Sequence, residues 1–202
     1  MSERKALWQT PPMKGHMMNR FLSATAVFGV MASAATAGNP YSDTLTSLVD
    51  STISGWVTDP AVVAAIIAQN AQTASYSDDQ VAELDALWQS GSAEGREFID
   101  GVWHNALSEQ LKGYKNQSPQ LFSEIFVVDG RGLNVGQSNI TSDYYQGDEA
   151  KWQVPHDTGE IHFGDVEFDE SSQTYLSQVS APIMHEGEFI GTITVGVNVE
   201  GL

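Results

Sequence analysis

The stretch IFVVDGRGLNVGQ (residues 125–137) admits two readings that lead to different folds. Gly130-x-Gly132-x-x-x-Gly136 after an apolar run resembles a dinucleotide-binding loop, which must open a helix whose N-terminus holds the phosphates. The residues after Gly132, Leu-Asn-Val-Gly-Gln-Ser, have strand character and no helical period. The stretch therefore reads as a β-hairpin. One strand covers residues 122–128, Asp129-Gly130-Arg131-Gly132 is a tight turn, and residues 133–137 return.

Downstream, three further β-branched runs are punctuated by glycine: residues 159–166, 174–184 and 189–199, the last two joined at Glu186-Gly187. Upstream, the pattern is helical. Leu45, Leu48, Val49, Ile53, Trp56 and Val57 recur every three or four positions, predicting a long first helix from Tyr41. Asp59-Pro60 supplies a cap and first-turn proline for a helix over residues 60–73, and Ser77 followed by acidic residues starts a third through Trp88. A fourth is expected over residues 96–114, burying Phe98, Ile99, Val102, Trp103, Ala106 and Leu107. Helices first and five antiparallel strands after them describe an α+β domain with one sheet.

The N-terminus has a different character. MKGHMMNR runs into FLSATAVFGVMASAATA, the layout of a secretory signal peptide, with Ala35-Thr36-Ala37 fitting the small-x-small cleavage rule. Residues 1–12 read as a leader, residues 1–37 as the removed segment, and residues 38–202 as one mature domain; an uncleaved N-terminal tether is the alternative. The apolar run is short for a bilayer span, and no other segment approaches spanning length. The expectation is a periplasmic domain that reaches any signalling machinery through a separate partner.

Removing residues 1–37 takes four of the nine Lys and Arg and one of the 26 Asp and Glu, leaving a charge of about −20. Such an excess repels phosphate backbones, so no nucleic-acid partner is expected. With no cysteine in the chain, disulfides, thiolate chemistry and Cys-ligated metals are excluded. Asp165-x-Glu167-x-Asp169 lacks the glycine and terminal glutamate of a calcium loop and reads as an exposed strand edge. His104, His156, His162 and His185 show no zinc-binding spacing, and there is no Gly-x-Ser-x-Gly elbow or Gly-Lys-Ser/Thr loop. No cofactor, metal or enzymatic activity is expected.

TSDYYQGDEAKW (residues 141–152) concentrates two tyrosines, a tryptophan, three carboxylates and a lysine. Tyr144, Tyr145 and Trp152 offer flat apolar faces with polar tips, suited to enclosing a small molecule or cationic group. IFVVDGRGLNVGQSNITSDYYQGDEAKW together with VEFDESSQTYLSQVSAPIMHEGEFIGTITVGVNVE resembles a Cache domain, the PAS-like extracytoplasmic sensor module also called a PDC sensor domain. The resemblance covers roughly residues 41–202 and is most specific between Ile125 and Val199. It implies a PAS-like five-stranded antiparallel sheet behind an N-terminal helical layer. Ligands would sit between the sheet and the loops covering one face, with residues 141–152 in the lid.

Amino-acid-binding members of that family carry an Arg-x-Trp-Tyr motif at this loop, where this chain reads Glu149-Ala150-Lys151-Trp152. Asp169 matches a family aspartate that contacts the ligand ammonium, while a second such aspartate is replaced within Val195-Gly196-Val197. What the resemblance implies is therefore a non-enzymatic sensing domain biased to amines or quaternary ammonium compounds, contacted by Asp169, Tyr144 and Trp152, with Tyr145, Asp143 and Glu149 nearby. A separate membrane receptor or kinase would read its bound state. The alternative is an envelope interaction module that homodimerises through the apolar stripe of its N-terminal helix.

Overall fold

The computed structural model describes residues 39–170 and 173–202; the expected leader and signal segment lies outside the described residues. Helix α1, Ser42–Val57, turns through a five-residue π segment at Val49–Ile53. Its stripe of Leu45, Val49, Ile53 and Trp56 is buried against the sheet. The face read as a candidate dimer seam is thus part of the domain's own core. Helix α2, Pro60–Thr73, begins where expected, its Asp59 cap accepting from the Ala61 N–H at 2.8 Å. Helix α3, Asp78–Gln89, opens on a reciprocal capping box between Ser77 and Gln80.

The single helix expected over residues 96–114 is two, α4 (Ala93–Trp103) and α5 (Ala106–Lys115). Asn105 makes the break. Its Oδ1 caps α5 by accepting from the Ser108 N–H at 2.8 Å, and its Nδ2 donates to the Val135 carbonyl at 2.7 Å. An apolar pattern that continued across the corner concealed it.

The sheet contains β1 (Phe122–Asp129), β2 (Asn134–Gln137), β3 (His162–Phe163), β4 (Glu167–Asp169), β5 (Thr174–His185) and β6 (Glu188–Asn198). Every pairing is antiparallel, in the order β2-β1-β6-β5-β3, with β4 also on β5. Of the strand expected at residues 159–166 only His162–Phe163 forms, as β3, and the pairing with β5 resumes beyond that range at β4. From Phe163↔Val179 to Glu167↔Leu176 there are four steps on one side against three on the other, so a one-residue slip divides it. A further helix, α6 (Ala150–Thr158), replaces part of the predicted lid loop and ends at Gly159, whose φ is +72°.

The two faces of the sheet differ in chemistry. Ile125, Val127, Val179, Ala181, Ile183, Ile193, Val195 and Val197 form an apolar face beneath α1, α2 and α5. Alternation sends Glu124, Phe126, Gln178, Ser180, Thr192 and Thr194 to the other side, where α6 packs. The Ser180 and Thr194 hydroxyls there are buried and bonded to each other at 2.9 Å.

The hairpin turn is fixed by Asp129, which is fully buried. Its Oδ1 accepts from the N–H groups of Arg131 and Leu133 at 2.9 and 3.0 Å, and its Oδ2 from Thr73 Oγ1 and Gln69 Nε2 at 2.8 and 3.2 Å. Asn70 adds a clamp, accepting from the Gly130 N–H and donating to the Ile190 carbonyl, both at 2.8 Å. Gly132, at φ +82°, completes the turn; a Cβ there would meet the Gly147 backbone at 2.5 Å. Asp129→Ala strands several buried donors at about 1–3 kcal/mol each, so it is expected to lower the unfolding free energy by about 3 kcal/mol in urea melts. A loss below about 1 kcal/mol would show that the turn does not depend on this carboxylate.

Burial holds the pKa of His162 below its ordinary value, with Asp165 opposing. The fold thus favours the neutral ring, and this contribution is complete above the unfolded pKa of about 6.5 and lost as pH falls through the folded value. The melting temperature of the wild type should therefore drop more between pH 7 and pH 5 than that of His162→Gln; equal drops would assign the acid sensitivity elsewhere.

Candidate functional site

Two separate hollows lie near α6. The first is a chamber of about 400 Å³ between the polar face of the sheet and the start of α6. Glu124 and Gln178 line it from the sheet, held together by a 3.0 Å hydrogen bond from Gln178 Nε2 to Glu124 Oε1. Glu149 and Lys151 line it from α6, and Asp165, Glu167, Phe168 and Asp169 from the β3–β4 segment. Lys151 reaches inward: its Nζ lies 3.0 Å from Glu149 Oε2 and 5.4 Å from the centre of the Phe126 ring. Five carboxylates thus face one ammonium. A neighbouring groove of about 540 Å³ shares Glu124, Asp169 and Leu176 with the chamber and ends at Lys115, whose pKa burial pulls down.

The second hollow, about 570 Å³, lies between α3 and the β1–β2 turn. Val81, Ala82 and Ala86 form one wall, Tyr145 and Trp152 the other, and Gly130 with Arg131 the edge. The indole is fixed: Trp152 Nε1 donates to the Asp129 carbonyl at 3.2 Å, and the ring stacks on His156 at 4.2 Å. This hollow lies beside Tyr145 and Trp152 but between α3 and the β1–β2 turn, whereas the resemblance implied a place between the sheet and the loop.

The six candidate residues do not converge on one point. Tyr145 and Trp152 line the second hollow, while Glu149 and Asp169 line the chamber. Tyr144 is 5% exposed, with its ring 4.7 Å from Phe98 and 5.6 Å from Trp88 in a satellite core that also holds Val81 and Leu133. That position corrects the expectation that it touches a guest. The bridge between Leu133 and Tyr145 holds this backbone extended, so consecutive side chains point to opposite sides. Burial raises the pKa of both phenols and keeps them neutral. Asp143 tethers the loop, accepting from Gln89 Nε2 at 2.7 Å and from the Ser142 hydroxyl at 2.6 Å.

Reading the sequence missed Lys151, Glu124 and Gln178. Lys151 had a signal: it is one of five Lys and Arg among the described residues of an acidic chain. Glu124 and Gln178 had none, because strand alternation marks a polar face without saying whether water or a helix covers it. Among the described residues, no group of three or more His, Asp or Glu is placed to hold a metal ion. None of the described helices is long and apolar enough to cross a membrane on its own.

Solved structures of sensor domains align with this chain. The V. cholerae histidine kinase DctB sensor domain aligns at 13% identity and a TM-score of 0.37, over 79% of this chain and 57% of that one. The Campylobacter jejuni chemoreceptor Tlp3 sensory domain aligns at 14% and 0.40, over 80% and 63%. The E. coli DcuS sensor domain aligns at 16% and 0.37, over 61% and 89%. This chain therefore spans about six tenths of the first two structures. No curated protein sequence matches it significantly. The family model of the methyl-accepting chemotaxis protein-like, first PDC sensor domain matches residues 95–202, and the chain belongs to that family.

Proposed function

We propose that this chain is an extracytoplasmic, non-enzymatic sensing domain that takes a small amine or quaternary ammonium compound into the chamber between the sheet and α6. The observation that carries this reading is the chamber's chemistry: a partly covered polar sheet face, about 400 Å³ of space, and five carboxylates against one lysine. That volume falls in the usual range for small-molecule sites, and a cation entering it leaves high-dielectric water for a field of its own counter-charges. Asp169 and Glu149 are the first contacts, with Phe168 as the aromatic face. Lys151, already paired with Glu149, is the group a ligand carboxylate would recruit.

Signalling in this reading passes to a separate membrane receptor or kinase through the lid. A ligand shifts that equilibrium only by binding one lid position better than another. The rival reading, a module that only dimerises, loses its surface, because Leu45, Val49, Ile53 and Trp56 are in the core.

Calorimetry against primary amines, choline-type cations and simple carboxylates tests the proposal. Amines are expected to bind, at least tenfold more weakly in Asp169→Asn and more weakly at high salt. Tight binding of a plain carboxylate with no response to any amine sinks the cation assignment. Amide hydrogen exchange over residues 141–152 should slow at saturating amine, and unchanged exchange would remove the lid as the transmitting element.

A further inference from the structure

We infer that the second hollow, between α3 and the β1–β2 turn, is an independent binding site for a small aromatic carboxylate, with Arg131 as its anion anchor. Its walls are apolar and flat, Val81, Ala82 and Ala86 against Tyr145 and Trp152, and its volume of about 570 Å³ exceeds that of the chamber. A planar ring fits between such walls. The charge at the edge decides what the ring must carry.

Two carboxylates and one guanidinium line the hollow, so hydrogen-bonding capacity discriminates better than a count of charges. Asp85 is committed. Its Oδ1 accepts from the N–H groups of Tyr144 and Tyr145, both at 2.9 Å, and its Oδ2 from Gln89 Nε2 at 2.8 Å. Asp78, at the first position of α3, extends fully into solvent. Arg131 is the reverse case. Among the described residues its guanidinium has one partner, Asp78 Oδ1 at a long 3.3 Å, and its buried Nε has none. Five N–H donors in a fork matched to a carboxylate are left largely unused. A carboxylate entering here finds the unspent donors of the guanidinium, whereas the inner carboxylate, Asp85, already accepts three hydrogen bonds.

The anchor is also positioned in advance. The Arg131 backbone N–H is held by Asp129 at 2.9 Å, and the Gly130 N–H by Asn70 at 2.8 Å, in a turn bound to α2. Trp152 is fixed through the Asp129 carbonyl of the same turn. Donor and aromatic wall thus share one rigid support, which limits the ordering cost of binding.

Titration calorimetry with benzoate, phenylacetate, benzylamine and acetate tests the assignment. The aromatic carboxylates are expected to bind, acetate and benzylamine to fail at this site. Arg131→Gln should weaken benzoate at least tenfold and leave amine binding at the chamber unchanged; Asp169→Asn should leave benzoate unchanged. Ala86→Phe, at an exposed helix position, keeps the guanidinium and fills the hollow, so it should abolish benzoate binding in a protein whose melting temperature is preserved. Benzylamine binding that survives Asp169→Asn, benzoate binding insensitive to both Arg131→Gln and Ala86→Phe, or no aromatic carboxylate binding up to millimolar concentration each overturns the inference.

Discussion

The structure depends first on a buried carboxylate. Asp129 ends β1, and its two oxygens accept from four donors that belong to the turn ahead of it and to α2. A carboxylate with no exposure is tolerated only when its lone pairs are filled, and here they are filled by backbone and neutral side chains. The interaction joins the helical layer to the edge hairpin and fixes the turn geometry on which the hairpin's register depends. It also sets the positions of Gly130, Arg131 and, through its own carbonyl, Trp152. Removing it would therefore disturb the wall of a cavity as well as a turn.

The second constraint is that one sheet must satisfy two environments. The face under α1, α2 and α5 is continuous Ile, Val and Ala, each large side chain contributing about 1.5–3 kcal/mol by leaving water. The opposite face carries Thr192, Thr194, Ser180, Gln178 and Glu124, and a short helix covers it only in part. Ser180 and Thr194 satisfy each other, but Thr192 Oγ1 is buried with no partner among the described residues. A buried hydroxyl without a partner costs stability.

Much of the fold was legible because its signals are local. Asp59-Pro60 and Ser77 started their helices where cap chemistry said they would, and the glycines of the 129–132 turn separated a hairpin from a phosphate loop. What escaped was set by tertiary contact. Asn105 reads as an ordinary polar residue until its amide is seen to bridge to the Val135 carbonyl. Helix α6 has Pro155 inside it, no side-chain cap and no apolar stripe, so nothing local separates it from a loop. At the site, Tyr144 and Tyr145 looked like one aromatic wall because they are neighbours in sequence. Their opposite directions come from a bridge to Leu133, eleven and twelve positions upstream, and from Asp85 holding both backbone N–H groups.

Helix α6 connects the two hollows mechanically. Lys151 and Trp152 are consecutive, and a helix turns by about 100° per residue, so the first looks into the chamber and the second towards α3. A nine-residue helix moves as a unit, and no loop lies between these side chains to absorb a displacement. Trp152, in the first turn of α6, is tied to the Asp129 carbonyl and stacked on His156, which itself meets Phe189 edge-on at 5.1 Å. Glu149, at the N-cap of the same turn, is tied to it: its carbonyl accepts from the Trp152 and Gln153 N–H groups at 3.0 and 2.9 Å. The two hollows thus border one turn of helix, and the indole that walls the second also anchors the turn that carries Glu149 and Lys151 into the first.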